Sequence, residues 1–492
     1  MKLCMIGHDF RYELEKLIRL FLPFEKITFA LSDDGVEDRC ITAVTESPDG
    51  LTLSAALFFG GKSYRAAYTL PTERREDADE RERLLALALF DCFCAASGYT
   101  PQWGILTGVR PAKLFSRLRA AEGESAAEKW FADALRVSGH KISLCRQTAE
   151  AESRITGLSR PDSYSLYISI PFCPTRCSYC SFVSHSVENA KGLVPRYVEL
   201  LTDELARTAV LARNLGLHLE TVYIGGGTPT ALSAEQLAAV MTAVREHFDL
   251  SGLREYTVEA GRPDTVTLEK LEVIRCHGGT RVSINPQTMN DEVLRAIGRR
   301  HTARQTIEAF TLARACGFSN INTDLIAGLP GDSFASFCQT LEQVLILAPE
   351  SVTVHTLAMK RASALSTNGL LPAAKMGEEA AKMVDYARET LGHSGFSPYY
   401  MYRQSKTVGN LENVGYAKPG REGYYNVFTM DETHTVLSCG AAAVTKLRQP
   451  GGNHIERIFN FKYPYEYISR YDELVARKDG ITRFYEQYPA IH

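Results

Sequence analysis

Residues 165–182 read SLYISIPFCPTRCSYCSF, in which a short apolar run leads directly into a group of cysteines. The run at 165–170 predicts a buried strand, and Pro171 and Pro174 keep the loop that follows out of a helix. The loop carries three cysteines in CxxxCxxC spacing, Cys173, Cys177 and Cys180. Because the loop is irregular, we expect the three thiolates to converge.

Three thiolates without a fourth suit an iron–sulfur cluster better than other cysteine chemistry. They can hold three irons of a [4Fe-4S] cluster and leave the fourth iron open for an external ligand. Zinc is the main alternative, since His185 could complete a Cys3His site, although structural zinc more usually has CxxC pairs. A disulfide with one spare thiol is a weaker interpretation in a reducing compartment.

The region from about 163 to 360 alternates short strand-like runs with amphipathic helical segments. Two of the helical segments lie at 233–248 and 302–317. The strand-like runs lie at 165–170, 221–226, 255–260, 280–285, 321–326 and 351–358. This repeat predicts a parallel sheet, arranged as a partial barrel or as a doubly wound sheet.

Unusual polar residues follow or end these strands, where the active sites of such folds gather. The cysteine loop follows the first strand and Gly-Gly-Gly-Thr at 225–228 follows the second. The next three strands contribute Glu259, Gln287 and Asp324. The coincidence favours a barrel-type active site at the carboxyl ends of the strands.

Two further regions flank this repeat. Residues 1–160 predict a separate α/β domain, with two strands around a Gly-Gly turn in LTLSAALFFGGKSYRAAYTL and a helix from about 80 to 97. The central repeat is assigned to 163–400. Residues 401–492, rich in Tyr, Asn and Gly at their start, form a C-terminal extension that we expect to cover the active site.

Charge and hydropathy restrict the partners of the chain. Lys+Arg number 55 against 58 Asp+Glu, a formal charge of -3, so no overall basic field indicates a nucleic-acid partner. The strongest apolar run, 84–96, is interrupted by Asp91 and is too short to span a membrane. These features predict a cytoplasmic protein whose twelve cysteines are thiols or metal ligands.

The cysteine loop, together with GGGTPT, EAGRPDT, NPQTMNDEVLRAIGRRH and NTDLIAGLPGD, resembles the radical S-adenosylmethionine (SAM) superfamily, and within it the oxygen-independent coproporphyrinogen III oxidase group. The likeness spans about 163 to 450. TGVRPAKLF and YRQSKTVGNLENVGYAKPG are similar to the longer coproporphyrinogen dehydrogenase branch of the HemZ type. The resemblance implies a partial (β/α)6 TIM-like barrel of the radical SAM type with an N-terminal α/β domain and a C-terminal α+β extension.

The resemblance also implies ligands for each cofactor. Cys173, Cys177 and Cys180 would hold the [4Fe-4S] cluster, whose open iron takes SAM. Tyr167, Gly226 and Glu259 would contact this SAM. A second SAM would be contacted by Tyr179, Gly227, Thr228, Gln287, Arg299 and Asp324. Ala358 and Val444 match apolar contacts of the family, and Tyr167, Glu259 and Arg299 are expected to take part in catalysis.

The implied reaction converts two propionates of coproporphyrinogen III to vinyls through a 5'-deoxyadenosyl radical, giving protoporphyrinogen IX in heme biosynthesis. A small electron donor such as a ferredoxin or flavodoxin would supply electrons. The substrate carboxylates need cations, because Arg and Lys are the residues that pair with carboxylates. Candidates are Arg300, His301, Arg304, Lys360, Arg361, Arg403 and Lys406.

Two positions depart from the pattern of the oxidases. Ser169 stands where much of the group has His, and Ser181 and Phe182 follow the third cysteine without a further cysteine. Relatives that bind heme as chaperones, or that degrade heme by methyl transfer, share the second feature, so these functions stay as alternatives. A heme-binding site would need an axial ligand, for which the tail offers His434 and Cys439. The tail sequence favours the enzyme.

Overall fold

The computed structural model describes residues 1–489 except 34, 36, 37, 181, 183, 184 and 360–368. Ser181 and two of the expected substrate cations, Lys360 and Arg361, therefore lie outside the described residues. The chain divides into two compact units. Unit 1 comprises 1–147, 356–386 and 401–413, and unit 2 comprises 148–355, 387–400 and 414–492. The domain boundaries expected from the sequence stay a prediction.

The strands of the two units are short, and most are parallel to a neighbour or joined to it by a tight turn. They are β1 Lys2–Ile6, β2 Thr28–Ala30, β3 Arg39–Ser47, β4 Gly50–Phe59, β5 Lys62–Pro71, β6 Ser163–Ile170, β7 Phe172–Cys173, β8 His185–Ser186, β9 His218–Gly226, β10 Glu255–Glu259, β11 Arg281–Ser283, β12 Ile321–Ala327, β13 Ser351–Thr356, β14 Ser397–Arg403, β15 Glu412–Ala417, β16 Thr435–Cys439, β17 Val444–Arg448 and β18 Ile455–Phe459.

The helices alternate with the strands through most of the chain. They are α1 Arg11–Phe21, α2 Ala78–Ser97, α3 Pro111–Glu122, α4 Glu124–Lys129, α5 Gly139–Thr156, α6 Val187–Ala190, α7 Val194–Asn214, α8 Ala234–His247, α9 Leu268–Cys276, α10 Asp291–Ala296, α11 Ala303–Ala315, α12 Phe334–Ile346, α13 Leu370–His393, α14 Tyr424–Asp431, α15 Pro464–Ser469, α16 Tyr471–Arg477 and α17 Asp479–Gln487.

Unit 1 contains a five-stranded sheet in the order β2-β1-β3-β4-β5. The expected Gly-Gly turn joins β4 to β5, and Gly60 and Gly61 have φ of 58° and 74°. Two successive positive φ angles match a type I′ turn, which glycine adopts without strain. Helix α2 packs on β4 and β5; it begins after an Asp77 cap and ends at a left-handed Gly98.

A buried charged pair lies inside unit 1. Lys141 and Glu412 are both inaccessible to solvent, and Nζ of Lys141 donates to Oε1 of Glu412 over 2.6 Å. The other carboxylate oxygen accepts from Nε1 of Trp103 at 2.6 Å, and Asp385 lies 3.2 Å from the same ammonium. Each charge therefore has a hydrogen-bonded partner, as burial of charged groups requires.

Unit 2 is built on one long sheet, whose full order is β14-β15-β13-β12-β11-β10-β9-β6-β16-β17-β18. The six strand-like runs of the sequence correspond to β6 and β9 to β13, which lie side by side in chain order. Pairing is parallel from β6 through β9, β10 and β11 to β12. The partial (β/α)6 barrel is confirmed, and the doubly wound alternative is not, because the strand order never reverses within these six.

Local sequence explains where the barrel helices begin. Ser233 and Gln236 form a reciprocal capping box at the start of α8, and Thr302 and Gln305 do so at α11. Each box satisfies backbone N–H groups that lack partners in the first turn. The apolar faces of α7, α8, α9 and α11 pack on the sheet in one continuous core.

The C-terminal residues extend the barrel sheet. Strand β16 pairs in parallel with β6, with Ser438 opposite Tyr167. Strands β17 and β18 then continue the sheet in antiparallel pairing. At the opposite end, β15 pairs antiparallel with β13. Among the described helices, none is both long and apolar enough to cross a membrane.

Candidate active site

The cysteine loop leaves the end of β6 and is fixed to the glycine-rich loop that follows β9. The N–H of Gly227 donates to Ile170 O at 2.8 Å, and the N–H of Thr228 donates to Phe172 O at 2.8 Å. A Cβ at Gly227 would lie 2.6 Å from Phe172 O and 3.0 Å from Cys173 Sγ. Since real Cβ atoms essentially never approach so closely, only glycine fits at this position.

Polar hydrogen-bond donors lie beside the sulfurs of Cys173 and Cys177. The hydroxyl of Thr228 lies 3.5 Å from Cys173 Sγ. Nη1 of Arg262 lies 3.8 Å from Sγ of Cys177. A cluster-bound thiolate carries negative charge and its potential is tuned by hydrogen bonds to sulfur, so these donors fit an iron–sulfur centre.

Arg262 is itself held in place. Its side chain is 3% exposed, and Nε and Nη2 donate to the two carboxylate oxygens of Asp264 at 3.1 and 3.2 Å. Nη1 also donates to the hydroxyl of Thr175 at 3.1 Å. This bidentate ion pair fixes the plane of the guanidinium and aims one N–H toward the cysteine loop.

The residues after α10 hold the other side of the cysteine loop. Ser178 N–H donates to Ile297 O at 3.0 Å, and the hydroxyl of Thr175 donates to Gly298 O at 3.0 Å. Nε of Arg299 donates to the hydroxyl of Tyr179 at 3.2 Å. The predicted SAM contacts Tyr179 and Arg299 are therefore brought together directly beside the cysteines.

The described residues contain no group of three or more His, Cys, Asp or Glu side chains placed to hold one metal ion. The thiolates of a [4Fe-4S] cluster each bind a different iron atom, so they need not meet around a single ion. The ring of His185, considered above as a zinc ligand, packs edge-on against Tyr463 at 6.1 Å.

A carboxylate and three tyrosines lie inside the barrel. The hydroxyl of Tyr223 donates to Oε1 of Glu259 at 2.5 Å. The ring of Tyr425 stacks on Tyr223 at 4.4 Å and faces Tyr167 at 6.2 Å. Burial raises the pKa of Glu259 to about 7, although the hydrogen bond from Tyr223 lowers it. Glu259 can thus change its charge near neutral pH.

A second carboxylate lies on the neighbouring part of the sheet. Oδ1 of Asp324 accepts from Nδ2 of Asn322 at 2.8 Å, and Oδ2 lies 3.7 Å from Nε2 of His355. Burial alone would raise the pKa of Asp324, but the hydrogen bond and charge of His355 lower it below its usual value. Asp324 is therefore ionised, whereas Glu259 is poised between its two forms.

Gln287 occupies a strained position between these groups. Its φ is 71°, in the left-handed region that a non-glycine residue rarely adopts. The N–H of Gln287 donates to Asp324 O at 3.0 Å, and its carbonyl accepts from Ile326 N–H. Its side-chain Oε1 is buried without a partner among the described residues, which leaves an acceptor ready for a ligand.

The structure also describes four other residues that the sequence singled out, of which Ala358 and Val444 stay predicted contacts. Ala358 belongs to unit 1, where it pairs with Thr407, and Val444 begins β17. His301 is not a cation at neutral pH, because burial and the nearby Arg299 lower its pKa to about 3. Arg304 is exposed and pairs with Glu308 of the same helix.

Arg403 also differs from the expectation of a substrate contact. It is buried, and its Nη1 donates to the carbonyls of Leu106 and Gly108 at 2.7 and 3.2 Å. Nη2 donates to Asn410 O at 3.0 Å. Burial lowers the pKa of Arg403 to about 10, so it stays charged. Both terminal nitrogens of Arg403 thus bind backbone carbonyls, and only Nε is buried without a partner among the described residues.

The sequence interpretation missed four side chains of this site, namely Arg262, Tyr223, His355 and Tyr425. Tyr223 had a usable signal, since it lies two residues before Gly225 on the same face of β9. His355 likewise stands near the end of β13. Arg262 also had a signal, because it lies three residues after the end of β10 within EAGRPDT. Tyr425 gave none, because tertiary packing alone brings it to the barrel strands.

The chain resembles known proteins over nearly its whole length. It is 35% identical over 480 residues, 96% of this chain and 95% of the relative, to a Bacillus subtilis protein called oxygen-independent coproporphyrinogen-III oxidase-like protein HemZ. Residues 167–344 match the model of the radical SAM superfamily. This chain belongs to the radical SAM superfamily, in its coproporphyrinogen-III oxidase-like group. The superfamily implies a [4Fe-4S] cluster and SAM as cofactors.

Two further proteins match smaller parts of the chain. A Mycobacterium tuberculosis protein called heme chaperone HemW is 32% identical over 277 residues, 54% of this chain and 70% of the relative. The Escherichia coli coproporphyrinogen III oxidase HemN shares the fold, with a TM-score of 0.50 and 24% identity over 66% of this chain and 73% of that one. The relatives of this chain thus include a protein named as oxidase-like and a protein named as a chaperone.

Proposed function

We propose that this radical SAM protein is an oxygen-independent enzyme that converts two propionates of coproporphyrinogen III to vinyls and so forms protoporphyrinogen IX. The observation that carries the proposal is the joint fixing of the cysteine loop by the glycine-rich loop, Arg262 and the segment at 297–299. The full-length likeness to the HemZ-type protein, named as oxidase-like, supports this choice over the shorter chaperone match.

Different residues of the site would bind the cluster and each SAM. Cys173, Cys177 and Cys180 would hold the cluster. The cluster and SAM, when bound, supply the radical that removes a hydrogen atom from the substrate. Tyr167, Gly226 and Glu259 would bind one SAM, with the Glu259 carboxylate accepting from a hydroxyl or the amine. The second SAM, whose presence is part of the proposal, would take Tyr179, Gly227, Thr228, Gln287, Arg299 and Asp324.

These side chains suit the charges of SAM. Asp324 is ionised and Gln287 offers a free carbonyl oxygen, and both accept hydrogen bonds from hydroxyl or ammonium groups. Arg299 is a permanent cation that can meet the methionyl carboxylate. The stacked rings of Tyr167, Tyr223 and Tyr425 provide an apolar, water-poor wall beside Glu259. Such a wall protects a reactive intermediate from side reactions.

The cellular compartment and the electron donor are also part of the proposal. None of the twelve cysteines is joined in a disulfide, which is compatible with the proposed reducing compartment, the cytoplasm. A small electron-carrying protein, such as a ferredoxin or flavodoxin, would reduce the cluster. The substrate cations are not assigned. Among the candidates, His301 is neutral and both terminal nitrogens of Arg403 bind backbone carbonyls. Lys360 and Arg361 lie outside the described residues.

The heme-chaperone alternative is favoured by the likeness to HemW, yet the suggested axial ligands are occupied. Both ring nitrogens of His434 are hydrogen-bonded, Nδ1 to Ser159 and Nε2 to Ser165, each at 2.8 Å. Burial lowers the pKa of His434 to about 3. Cys439 is buried beside Lys478 and Thr208. Neither side chain offers a free ligand atom for heme iron.

One experiment tests the proposal directly. The protein, reconstituted without oxygen, is incubated with coproporphyrinogen III, SAM and a reductant, and the products are separated after oxidation. We expect vinyl products and 5'-deoxyadenosine from the wild type and from Cys276→Ala, whose thiol is exposed. Cys177→Ala should give neither. Tight heme binding by the wild type without vinyl product would replace the enzyme by the chaperone.

A further inference from the structure

Unit 1 contains a cavity of 330 Å³, none of whose lining residues is among those assigned to the cluster or to SAM. Helix α1, the loop before α3, the start of α13 and the segment 403–410 contribute its walls. The volume lies in the range of small-molecule sites, roughly 300–1,000 Å³. The cavity is therefore large enough for an organic ligand.

The lining carries charge of one sign. Four basic side chains contribute to it, Lys16, Arg19, Arg403 and Lys406, and no Asp or Glu appears among the described lining residues. The whole chain has a net charge of -3. The positive charge is thus a local property of this cavity, and it favours an anion.

Two of the four cations are already used within the protein. Arg19 donates to Glu15 on the same helix, with Nη2 2.7 Å from Oε1. Arg403 donates to three backbone carbonyls, as described above. Their guanidinium groups shape the wall, but most of their hydrogen-bonding capacity is satisfied.

The ammonium groups of Lys16 and Lys406 keep N–H donors for a ligand. Lys406 is exposed, and its ammonium forms no ion pair within the described parts of the chain. The ammonium of Lys16 lies over the ring of Tyr12, 3.8 Å from its centroid. A cation over an aromatic face keeps its N–H groups for an anionic partner. Lys16 and Lys406 are therefore the residues able to pair with a ligand.

The segment that presents Lys406 is held in an unusual conformation. Lys406 has φ of 67° and Asn410 has φ of 57°, both in the left-handed region. The carbonyl of Lys406 accepts from Met359 N–H at 2.9 Å, which fixes the residue. Left-handed conformations of non-glycine residues cost about 1 kcal/mol or more and persist where the surroundings enforce them, often at ligand sites.

The remaining wall is mostly apolar. Its apolar residues include Leu20, Pro23, Val109, Met359, Met376 and Val408. An inorganic anion would leave this surface unused, whereas a ligand with an apolar body would bury it. A carboxylate also costs less to desolvate than a doubly charged phosphate, which suits a cavity whose polar lining residues other than the four cations are neutral.

We propose that this cavity binds an organic carboxylate with an apolar body, held by Lys16 and Lys406 at its acidic end. The proposal does not depend on the proposed function, since binding is measured without turnover. Two sources share the chemistry, a tetrapyrrole with propionate groups and an aliphatic fatty acid, and the experiment separates them.

Binding of coproporphyrin III and of dodecanoate to the full chain is measured by titration, in the absence of SAM. For the probe that occupies the cavity, Lys16→Gln/Lys406→Gln should raise Kd about five- to tenfold. The double Arg variant at the same positions should retain affinity. Lys26→Gln/Lys62→Gln removes two exposed charges outside the cavity and should leave Kd unchanged.

A second variant tests the location without changing charge. Ala373→Leu adds volume at a half-buried lining position and should weaken the same probe. The tetramethyl ester of coproporphyrin, which lacks carboxylates, should bind wild type and the Gln variant equally. If the affinity for either probe depends on the two lysine charges, the result supports the site. The probe that shows this dependence identifies the kind of carboxylate that the cavity binds. If neither probe is sensitive to the lysines, the proposal is overturned.

Discussion

The guanidinium of Arg262 lies 3.8 Å from Sγ of Cys177 and is held there by two hydrogen bonds to Asp264. Reduction adds negative charge to an iron–sulfur cluster, and a nearby cation stabilises the reduced form. Arg262→Gln should therefore lower the cluster potential, by on the order of 60 mV for a tenfold change in a one-electron equilibrium. A redox titration followed by electron paramagnetic resonance measures the shift.

Two variants make the Arg262 result specific. Arg262→Lys keeps the charge and should fall between the wild type and the Gln variant. Arg254→Gln removes a cation that pairs with Glu220 before β10 begins, and it should not move the potential. Equal potentials for wild type and Arg262→Gln, with full iron content in both, would show that Arg262 only supports the loop.

Iron content should depend on each cysteine of the loop. Changing Cys173, Cys177 or Cys180 singly to Ala removes one of three thiolate ligands, so reconstituted protein should lose its cluster absorbance. The Cys276→Ala variant serves as control, because this thiol is exposed in α9, outside the loop. Iron and sulfide analysis checks the outcome. Stoichiometric zinc without iron–sulfur absorbance in the wild type would favour the zinc interpretation.

The ionisation of Glu259 should govern SAM binding near neutral pH. Its pKa is about 7, and only the carboxylate accepts hydrogen bonds with both oxygens. We expect SAM affinity to rise between pH 6 and pH 8, by up to about tenfold per unit below the pKa. Glu259→Gln should flatten the profile. Anaerobic calorimetry at several pH values measures it.

A change at Tyr223 tests more directly whether the ionisation of Glu259 governs SAM binding. Its hydroxyl lowers the pKa of Glu259, so Tyr223→Phe should raise that pKa and move the affinity profile to higher pH. Tyr256→Phe is the matched control, since this buried hydroxyl has no partner among the described residues. Coincident profiles for Tyr223→Phe and wild type would contradict the assignment.

Glu259 should also link stability to pH. Because burial raises its pKa to about 7, well above the value in the unfolded chain, the protonated group favours folding. This contribution is present at low pH and is lost as pH rises through about 7. The wild type should therefore lose more free energy of unfolding between pH 6 and pH 8 than Glu259→Gln does. Urea denaturation at both pH values checks the sign.

Breaking the buried ion pair between Lys141 and Glu412 in unit 1 should lower the free energy of unfolding. Glu412→Gln leaves the ammonium of Lys141 buried with only the longer contact to Asp385. The expected loss is about 3 kcal/mol in the free energy of unfolding. Lys141→Met/Glu412→Leu removes both charges and should recover part of the loss. Glu46→Gln, at an exposed pair with Arg75, should cost less than about 1 kcal/mol.

The barrel was predictable because its strands are short apolar runs, most of which end in glycine or a polar residue. The order of β6 and β9 to β13 then follows from the strand–helix repeat. The pairing of β16 with β6 was not predictable, because it joins residues about 270 positions apart that carry no local signal. The contact between Tyr425 and Tyr223 was not predictable for the same reason, because it forms only when β15 and α14 are in place.

The chemistry of single side chains was the hardest part to predict. A histidine beside two arginines looks like a cation in the sequence, yet burial makes His301 neutral. Arg403 looks like a surface cation, yet its donors face three carbonyls. Protonation and hydrogen-bond saturation depend on solvent exclusion, which periodicity and spacing do not report.

The parallel pairing of β16 with β6 has a consequence for dissecting the protein. The strand that leads into the cysteine loop lies between β9 and β16, so a fragment ending near residue 430 would leave the N–H and C=O groups along one side of β6 unpaired. Exposed strands of this kind recruit other chains and aggregate. A minimal barrel fragment would therefore lose the support of the cysteine loop. Residues after β18 are needed as well, because Tyr467, Leu474 and Ile481 of the last three helices belong to the same buried core.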